Sequence, residues 1–426
     1  MIGNAAFTAT DRPRNTLRLL SVMPIFRPLF SGPSEWWLDF VPFLEGEGIQ
    51  NVVLTSRCHR GHSLGATDTI GGVPVFRVGS ETARSPYLSY VAGVSWFLAT
   101  QSKTYDVVIF HSPNEDALYA GTLAAHLRSR KVVYRMTLLH EDDLHAIRNV
   151  GRSGWLRARI VSHVDGIICV SQPLFDSVDR TKFSKPLLYA PKGVNTDIFR
   201  PATRPEKAQL RLSLGIDVEA PTAVFCGSLV HRKGIDILLE AWQQVAARVK
   251  DARLLLVGPN AESGLIDPAD IAYAGDVQRR VETTSLVDSV RIVGYHRDVS
   301  RFFRAADVFV FPSRWEGFGS VIVEAMACGL PIVVSPLDGI SRELLGVPPV
   351  GAIIEGESAA AYADCITSLF TDNAAAERLG SAGRRRAIEV FDFSRLAGTY
   401  ANFFREVVGD HGDAQSRRDP AGAVKR

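Results

Sequence analysis

The sequence lacks the cysteine spacing of a zinc site or a disulfide framework. Its five cysteines are odd in number and widely spaced, and no two of them form a Cys-x-x-Cys pair: Cys58, Cys169, Cys226, Cys328 and Cys365. Zinc ribbons and thioredoxin-type redox motifs are therefore excluded. Apolar neighbours surround most of these cysteines, which is typical of small buried side chains in a reducing compartment.

Long hydrophobic runs and an excess of charge are also missing. The longest mainly apolar stretch, Tyr87–Thr100, contains serines and a glycine and is shorter than the roughly 20 residues that cross a bilayer. The N-terminus has no apolar signal-peptide core. With 48 Lys and Arg against 46 Asp and Glu, the formal net charge is +2, so no global attraction to nucleic acid is expected.

What remains is the composition of an ordinary globular protein, 46% hydrophobic and 22% charged. At about 150 residues per domain, the 426 residues indicate two or three domains. Apolar strands alternate with helical segments, and this pattern restarts after a proline-rich stretch at 199–205. Such alternation predicts α/β domains with doubly wound parallel sheets. The predicted strands are Leu17–Val22, Val52–Thr55, Val107–Phe110, Lys131–Arg135, Gly166–Val170 and Leu187–Ala190, then Ala223–Cys226, Leu254–Val257, Val290–Val293, Val308–Phe311 and Ile332–Ser335.

We therefore predict two Rossmann-like domains that face a cleft, since ligands of such sheets bind beyond the carboxyl ends of the strands. The predicted limits are a mobile tail at 1–16, a first domain at 17–200, a second domain at 201–390, a helix at 391–410 that returns to the first domain, and a mobile tail at 411–426.

The segment 311–331 is the most informative part of the chain. A strand ends at Phe311, a glycine-containing loop follows, and a helix is predicted to begin with Ser320 as its N-cap and to stop at Gly329. Free backbone N–H groups at a helix N-terminus stabilise a diphosphate. Glu324, in the first turns of this helix, leans back toward the loop because helical side chains tilt toward the N-terminus.

A second loop, 227–234, has the same setting between a strand and a helix predicted at Ile235–Val249. Lys233 stands beside the helix N-terminus, where a cation can meet phosphate oxygens. Arg232 offers a further, forked contact.

Together these residues resemble the family 4 glycosyltransferases, whose architecture is the GT-B fold. Seven residues separate Glu316 from Glu324, as in the Glu-x7-Glu motif of that family. Gly227–Gly234 resembles its diphosphate-binding loop, although Ser228 stands where many members carry arginine. Further segments follow in family order: Arg291–Tyr295, Ala306–Asp307, Lys192–Pro201 and Phe391–Ser394.

The resemblance implies a retaining transferase that moves a hexose-type sugar from a nucleoside diphosphate sugar to a hydroxyl acceptor. Glu324 would bind the ribose, and the backbone around Tyr295 the base. Glu316, with the N–H groups of Gly317, Phe318 and Gly319, would hold the sugar and its diphosphate, with Arg232 and Lys233 on the phosphates. The acceptor would be a glycan or lipid-linked glycan, in cell-surface polysaccharide or glycoconjugate biosynthesis.

In the first domain, the resemblance points to the loop after strand Leu17–Val22 and to a histidine. Gly32, before a helix predicted at Glu35–Glu45, would face donor and acceptor; alternatively, it only turns the chain. His140 is the candidate active-site histidine, and His111, at the end of a strand, is its competitor.

No Asp-x-Asp triplet occurs, so we expect no metal and no cofactor; cationic groups would stabilise the departing diphosphate. Basic residues around Trp155 (Arg148, Arg152, Arg157, Arg159) match either an ordinary helix surface or a peripheral contact with an anionic membrane. The expected location is cytoplasmic, with the inner face of the membrane as the place of that contact. Two alternatives stay open: a sugar-nucleotide epimerase on the same fold, and a non-catalytic nucleotide-sugar-binding partner.

Overall fold

The computed structural model describes residues 16–29, 31–59, 62–111, 116–138, 141–149, 151 and 153–409. The predicted tails lie outside these residues apart from Thr16. Both sheets have α-helices packed on them, and the strands of each are parallel except at one edge of the first. No helix among the described residues is long and apolar enough to cross a membrane.

The first sheet has eight strands in the order β10-β9-β8-β7-β1-β2-β6-β5. Only β5 runs antiparallel to its neighbour, and a separate hairpin is formed by β3 and β4. The strands are β1 Leu17–Val22, β2 Ile49–Ser56, β3 Cys58–His59, β4 His62–Ser63, β5 Thr67–Ile70, β6 Val73–Val78, β7 Val107–Phe110, β8 Lys131–Met136, β9 Gly166–Cys169 and β10 Leu187–Tyr189. The helices of this half are α1 Gly32–Gly46, α2 Pro86–Thr100, α3 Asp116–His126, α4 Leu144–Asn149, α5 Gly154–Val161 and α6 Gln172–Asp176.

The second sheet has six parallel strands in the order β13-β12-β11-β14-β15-β16. They are β11 Thr222–Cys226, β12 Arg253–Val257, β13 Val290–Gly294, β14 Val308–Phe311, β15 Ile332–Val334 and β16 Ala352–Ile353. The remaining helices are α7 Arg204–Ser213, α8 Ile235–Arg248, α9 Ile271–Thr283, α10 Ser300–Ala305, α11 Ser320–Ala327, α12 Ile340–Leu345, α13 Ala359–Thr371, α14 Asn373–Phe391 and α15 Phe393–Val408.

The last helix, α15, returns to the first domain, as predicted. Its buried side chains recur every three or four residues, so one face of the helix is apolar. That face packs on α1, where Tyr400 meets Phe40 with 5.2 Å between ring centroids and Phe393 lies 5.9 Å from Trp36. An isolated β-bridge pairs Val194, which precedes the second domain, with Asp392, which precedes α15. It therefore joins the two segments in which the chain passes between the domains.

All eleven predicted strands are present, but strands β3–β6 and β16 were not predicted. The exposed edge strand β5 is polar, and β16 has only two residues.

The prediction that Ser320 is the N-cap of α11 was wrong by one residue. The N-cap of α11 is Gly319 at φ +84°, and Ser320 is the first helical residue. The left-handed backbone at 319 favours glycine, whereas the helix stop at Gly329 (φ +75°) is confirmed.

Candidate functional site

The carboxyl ends of the two sheets face each other across a cleft, and the loops that follow the strands line it. One contact between the domains joins Gly317, after β14, to Thr137, after β8. A Cβ atom built on Gly317 would lie only 2.4 Å from the Thr137 carbonyl oxygen. Glycine at 317 therefore lets the two domains touch beside the Glu-x7-Glu segment.

The loops after β11 and β14 are held together within the second domain. Arg314 N–H donates to the Arg232 carbonyl at 2.7 Å, and an Arg314 guanidinium N–H donates to the neighbouring His231 carbonyl, also at 2.7 Å. Gly234 has φ +68°, and a Cβ there would lie 2.0 Å from the Pro312 carbonyl oxygen. The glycine that opens α8 is thus required by the packing of one loop on the other.

This packing brings three predicted site residues into one ion-pair network. The Lys233 ammonium donates to Glu316 Oε1, which also accepts from Arg232 Nη1 at 3.1 Å and from Ser313 Oγ at 2.8 Å. The side chains of Lys233 and Glu316 are 11% and 10% exposed. Burial alone would raise the pKa of Glu316, but Lys233 and Arg232 lower it below its ordinary value. Glu316 is therefore a carboxylate at neutral pH.

Next to this network, the start of α11 presents free backbone donors. Among the described residues, the N–H groups of Gly317, Phe318, Gly319 and Ser320 meet no acceptor. The Phe318 ring is 1% exposed and packs against Phe391, so only its backbone can contact a ligand. Free N–H groups and the helix dipole together favour an anion at this point.

Glu324 lies on α11 and is half-buried in the cleft. Its pKa is raised to about 7, first by burial and second by the Asp39 carboxylate of α1, while Lys192 acts in the opposite direction. Within the part of the chain that the structure describes, no hydrogen bond to the Glu324 carboxyl occurs. A ligand with hydroxyl groups would supply the missing donors.

This raised pKa predicts pH-dependent nucleotide binding. With a pKa of about 7, the ionised fraction of Glu324 rises from about a tenth at pH 6 to about nine tenths at pH 8. If the carboxylate accepts ribose hydroxyls, the Kd for a nucleoside diphosphate falls about tenfold over that range. Calorimetric titration of wild type and Glu324→Gln at several pH values measures this Kd. An equal pH dependence of the Kd in both proteins would contradict the proposed contact between Glu324 and the ribose.

The raised pKa of Glu324 also predicts how the stability of the protein changes with pH. The folded protein holds the Glu324 proton up to about pH 7, whereas the unfolded chain releases it near pH 4.5. The folded state therefore binds more protons between these values, and its free energy of unfolding declines as the pH rises from 4.5 to 7. Glu324→Gln, which cannot titrate, should remove this decline in pH-dependent urea unfolding.

The loop after β1 and the start of α1 approach Tyr295 from the first domain. Arg27 Nε donates to Glu35 at 2.7 Å. Burial and the Glu35 carboxylate raise the pKa of Tyr295, and Arg27 opposes them. Gly32 is the first residue of α1, so the helix begins three residues earlier than predicted; Pro33 fits its first turn. A Cβ on Gly32 would meet no atom within 4 Å.

Of the two candidate active-site histidines, the structure describes only His111. His140 lies outside the described residues, so its proposed role stays a prediction. His111 is 3% exposed, and its ring makes an edge contact with Trp37 at 4.2 Å between centroids. Burial, then Arg135 and Lys192, hold the His111 pKa well below its ordinary value, which makes it neutral at pH 7.

Three further polar residues beside the cleft were missed as site residues. They are Arg135, inside strand β8, Lys192, after strand β10, and Asp142, after strand β8. Asp142 accepts from the N–H groups of Thr137 and Leu138 at 2.6 and 2.8 Å, which shapes the turn that carries Thr137 to Gly317. A basic residue within an otherwise apolar strand was the available signal for Arg135.

No group of three or more potential metal ligands occurs among the residues with described positions. The four cysteines whose side chains are described, Cys169, Cys226, Cys328 and Cys365, are free thiols.

Comparison with known proteins gives a consistent family assignment. The family model described as glycosyl transferases group 1 matches residues 206–386. The chain is 30% identical over 292 residues to a GDP-mannose-dependent monoacylated alpha-(1-6)-phosphatidylinositol monomannoside mannosyltransferase of Corynebacterium glutamicum, covering 67% of this chain and 72% of that one. It is 29% identical to the alpha-maltose-1-phosphate synthase of Mycobacterium tuberculosis over 60% of this chain and 66% of the relative.

Solved structures share the fold. HepE of Anabaena, in complex with UDP and glucose, has a TM-score of 0.71 at 19% identity and covers 91% of this chain and 99% of its own. Sucrose-phosphate synthase of Thermosynechococcus elongatus has a TM-score of 0.71 at 20% identity, with coverages of 92% and 99%.

Proposed function

The chain belongs to the group 1 glycosyltransferases, family 4 enzymes of GT-B architecture, and on that premise we propose that it is a retaining, metal-independent hexosyltransferase. The donor is a nucleoside diphosphate sugar, and the acceptor is a hydroxyl group of a glycan or lipid-linked glycan. The observation that carries the proposal is the buried Lys233–Glu316 pair, joined by the half-buried Arg232, beside N–H groups of residues 317–320 that meet no acceptor among the described residues.

Each part of this arrangement matches one part of the donor. Lys233, Arg232 and the start of α11 neutralise the diphosphate. Glu324 accepts hydrogen bonds from the ribose, and the backbone near Tyr295 contacts the base. Glu316 accepts hydrogen bonds from the transferred sugar. Cationic groups that stand ready where charge develops stabilise the departing diphosphate without reorganisation.

The proposed reaction needs no enzyme nucleophile. The bond between the anomeric carbon and the β-phosphate oxygen breaks, and its electron pair stays on that oxygen. The acceptor oxygen then bonds to the oxocarbenium-like carbon on the same face, and its proton passes to the departing phosphate. Glu316 has a pKa below its ordinary value, so it orients the sugar as a carboxylate and does not act as a general acid.

The proposal is tested first by ligand binding. UDP, GDP, ADP and their common sugar conjugates are screened for thermal stabilisation, since a ligand at 100 times its Kd adds about 2.7 kcal/mol. The stabilising donor is then incubated with candidate acceptors, and the anomeric configuration of the product is read by NMR. A product of inverted configuration, or loss of turnover in EDTA that manganese restores, would contradict the mechanism. Donor isomerisation without acceptor would instead indicate an epimerase.

A peripheral contact with an anionic membrane is a further part of the proposal. The side chains of Trp96, on α2, and Trp155, on α5, are 72% and 62% exposed. Asp116 of α3 accepts from Tyr87 of α2 and pairs with Arg157 of α5, so the three helices are neighbours. Further exposed apolar side chains on them are Leu88, Leu123 and Leu156, and Leu127 follows the end of α3.

The basic residues predicted for this contact divide into two groups. Arg157 is held by Asp116 and stacks on Tyr119 at 5.3 Å, so it belongs to the internal structure. Arg148 and Arg159 are exposed and remain candidates, while Arg152 lies outside the described residues. An exposed tryptophan near exposed arginines, as at Trp155, fits the interface of an anionic bilayer.

We expect Trp96→Ser/Trp155→Ser to reduce co-sedimentation with vesicles that contain an anionic lipid, and to leave nucleoside diphosphate binding unchanged. Binding of the wild type should weaken as salt increases, because the electrostatic attraction to the lipid is screened. Equal sedimentation of wild type and variant would contradict the proposed contact.

A further inference from the structure

Beside the proposed donor site, the first domain contains a cluster of buried hydrogen-bond donors that lack partners. Arg135 is 0% exposed, and its Nε, Nη1 and Nη2 atoms make no hydrogen bond in the described part of the chain. The same holds for the indole Nε1 of Trp37, also 0% exposed, and for both ring nitrogens of His111. We refer to Arg135, His111 and Trp37 as the donor cluster.

Sheet register and helix packing bring the donor cluster together. Phe110 of β7 pairs with Tyr134 of β8, so His111 and Arg135, the next residues, are side by side at the carboxyl ends of the two strands. The Trp37 ring contacts His111 at 4.2 Å, and the Arg135 guanidinium lies 4.4 Å from the ring centroid of Trp36. Trp36 is itself anchored, because its indole N–H donates to the Gly193 carbonyl at 2.7 Å.

An isolated buried guanidinium is strongly unfavourable unless an anion compensates it. The contact with the Trp36 ring offsets part of this cost, but it satisfies none of the five N–H donors of the guanidinium. No carboxylate among the described residues pairs with Arg135. Since Arg135 and Trp37 only donate hydrogen bonds, the missing partner is an acceptor.

Lys192 connects the donor cluster to the cleft. It is half-buried next to Gly193, and no ion pair of its ammonium is found in the described residues. Burial and the charge of Arg135 lower its pKa to about 8, while Glu316 and Asp142 oppose them. Lys192 is therefore largely protonated at neutral pH. The next residue, Gly193, accepts the Trp36 indole N–H, which places Lys192 near the donor cluster, and its charge interacts with those of both Arg135 and Glu316.

We propose that Arg135 and Lys192, with the donors of His111 and Trp37, form a subsite for an oxyanion carried by the acceptor, either a phosphate or a carboxylate. The inference rests on the proposed function for the word acceptor. The donor diphosphate already has Lys233, Arg232 and the start of α11 on the second domain. The subsite is on the first domain, across the cleft, and would hold the charged group while a hydroxyl of the same molecule faces the sugar.

Inorganic phosphate and glucuronate are the probes for this subsite. Each is titrated calorimetrically at matched ionic strength, with the enzyme saturated by the nucleoside diphosphate that stabilises it, so that the donor site is occupied. We expect Arg135→Met to weaken binding of the preferred probe at least about tenfold, the effect of losing a charge-assisted contact. Lys192→Met should weaken it too. Arg84→Met, which removes an exposed arginine of the same domain, should not change it.

A second measurement separates ligand binding from a structural role. In phosphate-free buffer, Arg135→Met should melt at the wild-type temperature or above it, because an uncompensated buried charge has been removed. If phosphate and glucuronate bind wild type and Arg135→Met equally, or bind neither, the subsite does not exist. If the nucleoside diphosphate displaces the probe, the anion belongs to the donor site and the proposal is wrong.

If the proposed glycosyltransferase function were wrong, the binding measurements would differ from those expected if only the subsite were wrong. In that case no nucleoside diphosphate would stabilise the protein, whereas phosphate or glucuronate binding would still respond to Arg135→Met.

Discussion

Glu316→Gln is expected to abolish sugar transfer and yet to tighten binding of the nucleoside diphosphate. In the ligand-free site, the Glu316 carboxylate neutralises Lys233 and shares Arg232. The amide removes that negative charge, so the diphosphate meets two uncompensated cations. We expect its affinity to rise about tenfold or more, while turnover falls about 100- to 1,000-fold because the transition state loses a preorganised partner.

The same network predicts unequal effects on stability. Glu316→Gln leaves Lys233 without a carboxylate among the described residues, and breaking a buried pair in this way costs about 3 kcal/mol. Lys233→Met leaves Glu316 with Arg232 and Ser313, so its cost should be smaller. The diphosphate should restore stability to Glu316→Gln more than to wild type.

Calorimetric titration and urea unfolding of wild type, both single variants and the double variant test this reasoning. Because the two side chains are in direct contact, their effects should not add. Weaker diphosphate binding by Glu316→Gln than by wild type would show that the carboxylate supports the phosphates indirectly. The proposed roles of the two residues would then be wrong.

Gly317→Ala is expected to lower turnover about 100-fold with little loss of stability. The added methyl group would lie 2.4 Å from the Thr137 carbonyl oxygen of the opposite domain, so the domains must move apart. A displacement of about 1 Å between reacting groups can reduce the rate about 100-fold. Since the clash is between domains, each domain core should keep its packing and its melting temperature.

Gly275→Ala is the matched control, because a methyl group on this residue of α9 would meet no atom within 4 Å. It should retain wild-type turnover. Donor binding by Gly317→Ala should also stay close to wild type, since Lys233, Arg232 and Glu324 belong to one domain. Wild-type turnover in Gly317→Ala would indicate that the contact with Thr137 is not needed for the reaction.

The segments proposed to bind the donor could be identified from the sequence because each of them is local. Glu316, Gly319 and Glu324 belong to one strand–loop–helix segment, and Lys233 stands at the start of another helix. Spacing along the chain then determines which groups reach the same loop. The same locality explains why the strands with continuous apolar runs were found, whereas the polar edge strand β5 was not.

The ion pair between Lys233 and Glu316 could not be predicted from the sequence, although both residues are predicted site residues. They are 83 positions apart, and only the packing of the loops after β11 and β14 decides that they neutralise each other. The raised pKa of Glu324 likewise depends first on burial and then on Asp39 of the other domain. Contacts between charged residues that are distant in the chain produce no periodic pattern in the sequence.

By itself, therefore, the sequence determined the doubly wound α/β pattern, the family and the segments proposed to bind the donor. Hydrophobic periodicity and helix-terminal motifs are local, and each acts within about 20 residues. Only the tertiary structure decided which of those residues form ion pairs, why glycine is needed at 317, and that Arg135, His111 and Trp37 meet without a hydrogen-bond partner among the described residues. These properties arise from burial and from contacts between distant segments, because desolvation and steric exclusion depend on three-dimensional packing.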